Sequence, residues 1–118
     1  MTRTRTAFVA VIVALFLVAG GILIYANQSH GGQNVTISVT VTGADKMSPS
    51  TLNAHLNDEV TISITSDQTG EVHLHGYDIA FDCTAGQATS HTFKADKSGQ
   101  FDVEWESTST PLGQLVVS

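Results

Sequence analysis

From Val35 to Thr42 every second residue is aliphatic, and every residue between carries a hydroxyl: Val35, Ile37, Val39 and Val41 alternate with Thr36, Ser38, Thr40 and Thr42. A period of two is the period of a strand, whose side chains point to opposite faces in turn. The pattern predicts one strand with an aliphatic row inward and a polar row outward, and it excludes an amphipathic helix over the same residues.

The same patterning recurs to the C-terminus, with no helix-period segment between the runs. After a loop containing Met47-Ser48-Pro49, residues Leu52, Ala54 and Leu56 are expected to point inward. A turn at Asn57-Asp58 then leads to a second inward row, Val60, Ile62 and Ile64, in a hairpin-like pair. Asp67 to Gly70 is expected to turn the chain into one long extended stretch from Glu71 to Cys83, kinked at Gly76. Runs from Ala88 to Ala95, Gln100 to Ser107 and Leu115 to Val117 complete the set, with loops at Thr84 to Gln87, Asp96 to Gly99 and Ser109 to Gly113. The run Phe101-Asp102-Val103-Glu104-Trp105-Glu106 puts three large apolar side chains on one face and three acids on the other, so Trp105 is expected in the core. Seven to eight short strands at this spacing predict an all-β fold, a Greek-key β-sandwich or barrel, over residues 35–118.

The first 34 residues have a different character. Residues 1–6 carry Arg3 and Arg5, and residues 7–25 form an uncharged apolar run. As a helix rising about 1.5 Å per residue, that run matches a hydrocarbon layer of about 30 Å. A cleaved signal peptide is the competing reading, but its apolar region is shorter and Ile24 is bulky for a small-x-small cleavage site. The reading favoured is one N-terminal transmembrane helix retained as a signal anchor. Arginines ahead of the span leave the N-terminus cytoplasmic and the C-terminal domain extracytoplasmic, at the cell membrane. Residues 26–34, polar and with two adjacent glycines, read as a flexible tether.

All eleven acids lie beyond the span, against Lys46, Lys94 and Lys97 only. An excess of eight negative charges repels nucleic acid and suits solubility or a basic partner. One cysteine, Cys83, rules out an internal disulfide, so packing alone must stabilise the domain.

No phosphate loop, nucleophile elbow or unexplained carboxylate pair is present, and the chain is not expected to be an enzyme. The informative segment is Val72-His73-Leu74-His75-Gly76-Tyr77-Asp78. Histidines two apart on a strand share a face and can meet one metal ion, copper or zinc suiting neutral imidazole. The spacing equally suits a half-exposed pair with no metal, or satisfied core polar groups. Met47 offers a thioether that would make a copper site of another kind with them. Cys83 shares parity with Tyr77, Ile79 and Phe81 and is expected in the core, with ligation as the alternative. His91 shares parity with Phe93 and is a candidate to reach Cys83. His55 is expected in solvent, and His30 falls in the tether.

The ordered set Met47-x-Pro49, Leu52-x-Ala54, Asp58-x-Val60-x-Ile62, His73-Leu74-His75-Gly76-Tyr77-Asp78, Phe93-x-Ala95-Asp96-x-x-Gly99-x-Phe101-x-Val103 and Leu112-Gly113-x-Leu115-x-Val117 resembles the small exported domains of the cupredoxin superfamily. The resemblance implies a sandwich of seven or eight strands, many of which bind one copper ion for electron transfer or copper handling. It makes His75 the first histidine ligand. Trp105 stands at the matching place of the cysteine ligand and Leu112 roughly at that of the axial methionine, and no second histidine follows in Ser107 to Leu112. A blue site, built on a thiolate, is therefore not expected. Two readings stay open: a membrane-tethered domain with an altered, non-blue copper site at His75 and His73, or a metal-free interaction module using its acidic face. Both expect a protein partner at the membrane surface.

Overall fold

The computed structural model describes residues 32–118. The predicted anchor and most of the tether lie outside the described residues. The end of the tether is already part of the domain, because the Gln33 carbonyl accepts the Glu59 amide at 2.8 Å and the Gln33 amide donates to Asp58 Oδ1 at 3.2 Å.

Nine strands follow: β1 (Asn34–Thr42), β2 (Lys46–Ser48), β3 (Thr51–Ala54), β4 (Glu59–Ser66), β5 (Gly70–Leu74), β6 (Ile79–Cys83), β7 (Ala88–Lys94), β8 (Gly99–Trp105) and β9 (Thr110–Val117). A single 3-10 turn, Glu106–Thr108, separates β8 from β9. The strands form two sheets, one ordered β2-β1-β4-β7 and the other β3-β9-β8-β5-β6. Pairing is mixed. β1 runs parallel to β4 and β3 parallel to β9, while the other neighbours are antiparallel.

The alternation read from the sequence sets the core. Val39, Val41, Val60, Ile62 and Ile64 of the first sheet meet Val72, Leu74, Phe81, Val103, Trp105, Leu115 and Val117 of the second, all buried. Each such aliphatic or phenylalanine side chain contributes about 1.5–3 kcal/mol relative to exposure. The outward row of β1 continues across the first sheet in register: Thr36 lies opposite Thr61 and Thr61 opposite Thr92, while Ser38 lies opposite Ser63 and Ser63 opposite Ser90.

Four expectations are corrected. β3 and β4 are not a hairpin: they belong to different sheets, since alternation identifies the buried face of a strand but not its partner. The link between them is tied by Asp58, only 2% exposed, whose carboxylate accepts the His55 amide at 2.8 Å. Leu56 is 39% exposed, because the parity of β3 ends at Ala54 and the chain then turns through Asn57 at φ 75°.

The stretch from Glu71 to Cys83 is a hairpin, not one kinked strand. Its turn residues include Gly76 at φ 83° and Asp78 at φ 54°, and β5 and β6 pair from Gly70 opposite Cys83 to Leu74 opposite Ile79. A Cβ on Gly76 would overlap the Phe101 ring. The last strand also begins earlier than expected, at Thr110, so most of the expected Ser109 to Gly113 loop pairs with β8 across an irregularity at Val103/Glu104.

Candidate metal centre

Val72 and Leu74 of β5 are buried, which turns His73 to the outer face of the second sheet. His73 lies between two neighbours there, opposite Glu104 on β8 and Ala80 on β6. His75 is the first residue beyond β5, and its amide donates to the Asp102 carbonyl at 2.9 Å, carrying the ladder one step further. The two imidazoles stand edge to face, centroids 4.5 Å apart at 61°. The structure thus brings the two histidines together on one face, as their spacing implied.

Three carboxylates surround them. Nε2 of His73 is 2.9 Å from Oδ1 of Asp78, and its Nδ1 is 3.5 Å from Oε1 of Glu106. Nε2 of His75 bonds to Oε1 of Glu104. The side chains of His73 and Glu104 are each 20% exposed, His75 44%, Glu106 50% and Asp78 94%. Each acid is positioned by a simple local device. Asp78 is turned back by its positive φ, Glu104 is carried by the outward parity of β8, and Glu106 opens the 3-10 turn after Trp105.

Among the described residues no three histidine, cysteine, aspartate or glutamate side chains form a ready-made metal-holding group. Asp78 and Glu106 meet the two nitrogens of His73, and Glu104 meets Nε2 of His75. The carboxylates were missed as site residues in the sequence. Glu104 and Glu106 read there as a solvent face of β8, and only the β5–β8 register places Glu104 opposite His73.

The remaining candidates lie elsewhere. Met47, on β2 opposite Val41, is buried, with its methyl where a Cβ on Gly113 would stand. Cys83 is buried on β6, its thiol facing the Phe81 carbonyl oxygen at 3.7 Å, and burial pushes its pKa up. His91 is exposed and packs its ring against Phe81, centroids 5.0 Å apart. The His55 side chain is 62% exposed. Trp105 and Leu112, at the places matched to cysteine and methionine ligands, are both buried apolar side chains. The residues present therefore do not fit a blue copper centre. Imidazole and carboxylate are donor types that divalent metals accept, but among the described residues no three of these side chains form a group that could hold an ion.

No protein-family profile matches the chain, and no curated protein matches it. Solved structures do. A copper binding protein in its apo form superposes with a TM-score of 0.62 at 14% identity, over 77% of this chain and 93% of the other. The metal binding domain of a Cu(I)-exporting P-type ATPase of Streptococcus pneumoniae, with Cu(I), gives 0.58 at 9% identity, over 75% and 99%. A purple cupredoxin from Nitrosopumilus maritimus gives 0.51 at 12% identity, over 70% and 99%. With two facing sheets, nine strands and these neighbours, residues 32–118 have a cupredoxin-like β-sandwich fold.

Proposed function

We propose that this chain is a membrane-tethered, extracytoplasmic domain that binds copper at a non-blue site centred on His73 and His75, serving copper handling or electron transfer with a partner at the membrane surface. The observation that carries the reading is the pair itself: two imidazoles 4.5 Å apart on the outer face of the second sheet. Copper-binding neighbours of the same fold support it. The tether and the side of the membrane rest on the sequence pattern of residues 1–34.

A second reading has its own observation. Carboxylates already engage both nitrogens of His73 and Nε2 of His75, as they would in an interaction module that uses the acidic face without a metal. Copper titration of the full chain in detergent separates the two. Under the copper reading one equivalent binds, and the His73→Ala/His75→Ala variant loses that binding. Equal binding by both proteins would leave the metal-free module standing.

A further inference from the structure

Nε2 of His73 is covered by the carboxylate of Asp78, in the turn between β5 and β6. We infer that this turn is an autoinhibitory latch: Tyr77 clamps it to the β7–β8 loop and so holds Asp78 over Nε2 of His73, where any ligand of that nitrogen must displace it. The inference stands whatever the two histidines bind.

Asp78 does not hold itself in place. Its side chain is 94% exposed, and a contact made so far out in water is weak. Its backbone, at φ 54°, lies in the left-handed region, which aspartate tolerates better than most residues but does not prefer. A strained residue of this kind persists only where its surroundings over-determine it. Here they do. On one side the Tyr77 hydroxyl bonds both the carbonyl and the amide of Lys97, whose ammonium lies over the tyrosine ring. Gly76, just before it, lies so close to the Phe101 ring that a Cβ would overlap it. On the other side Ile79 is already paired with Leu74 in the β5–β6 ladder. Asp78 is therefore placed by its fixed neighbours rather than by the strength of its own contact, and loosening Tyr77 frees it.

The latch acts on one atom. Nδ1 of His73 faces Glu106, which belongs to the 3-10 turn after β8 and not to the latch, and His75 is engaged by Glu104. Release of Asp78 thus opens Nε2 of His73 and leaves the rest of the cluster as it is.

The test uses the full chain in detergent and diethyl pyrocarbonate, which acylates an accessible imidazole nitrogen. Each histidine is read separately by tandem mass spectrometry, and rates are compared at their alkaline plateau, so that a change in protonation does not enter. Asp78→Ala should acylate His73 at least fivefold faster than the wild type, with the rates at His75 and at the exposed His91 within twofold. Tyr77→Phe should speed His73 at least twofold with Asp78 still present, and adding it to Asp78→Ala should bring no further gain, because Tyr77 acts through Asp78. Cys83, buried on the strand that follows the turn, reports general opening of the sheet and should react with a disulfide reagent at the wild-type rate in Asp78→Ala. An unchanged His73 rate in either single variant, additive effects in the double variant, or Cys83 accelerating in step with His73 in Asp78→Ala overturns the inference.

Discussion

The hydroxyl of Tyr77 joins Lys97 twice, donating to its carbonyl oxygen at 2.7 Å and accepting from its amide at 3.0 Å. The ring beneath packs between Phe93 and Phe101, centroids 5.0 Å from each, with the Lys97 ammonium 4.5 Å above it. One side chain therefore fixes the β5–β6 turn against the β7–β8 loop. Tyr77→Phe should keep the packing and lose the pair of hydrogen bonds, destabilising by about 1 kcal/mol in denaturant unfolding.

The same tyrosine gives a pH dependence. Burial, opposed by the Lys97 hydrogen bond and aided by Asp96, raises its pKa above 10.0, so the folded state holds the phenol proton longer than the unfolded state does. Its contribution is complete below pH 10 and drains away as pH rises beyond it. The melting temperature should fall above that pH, and Tyr77→Phe should flatten the fall; an identical alkaline slope in both proteins refutes the assignment.

Asp58 is a buried carboxylate that accepts two backbone amides, from Gln33 and His55. Replacing it with alanine orphans both donors at the crossing between sheets. The expected loss is about 2–3 kcal/mol, read from the denaturant midpoint. Asp58→Asn, which keeps one acceptor oxygen, should lose less.

Gly76 answers to two constraints at once, a φ of 83° and the Phe101 ring where a Cβ would stand. Gly76→Ala should destabilise by about 1–3 kcal/mol through displacement of the ring and backbone strain. If the turn orients His75, copper affinity should fall with it, as measured by titration on the folded fraction.

Cys83 should be chemically quiet. Burial raises its thiol pKa, and Asp82 adds to the shift. A disulfide reagent at neutral pH should modify it slowly in the native protein and rapidly in denaturant. Equal rates would mean that β6 opens far more readily than its place in the sheet implies.

Much of the fold was legible because alternation reports burial directly: the rows at Val39 and Val41, at Val60, Ile62 and Ile64, and at Val103 and Trp105 all face the core. What alternation does not encode is pairing. The β3–β4 hairpin and the inward Leu56 failed for that reason, since the turn is set by the buried Asp58 and by Asn57 in a left-handed conformation, neither of which alters a period of two. The histidine pair was visible as i, i+2 spacing. Its carboxylates were not, because Glu104 meets His73 only through a register between strands about 30 residues apart in the chain.

The parallel ladder of β1 against β4, from Asn34 opposite Glu59 to Val41 opposite Ser66, has a mechanical consequence. The membrane anchor proposed for this chain enters the domain through the first residue of β1. Tension applied to the Asn34 end of β1 along the strand would load that ladder in shear, so its hydrogen bonds would resist together rather than unzip one at a time.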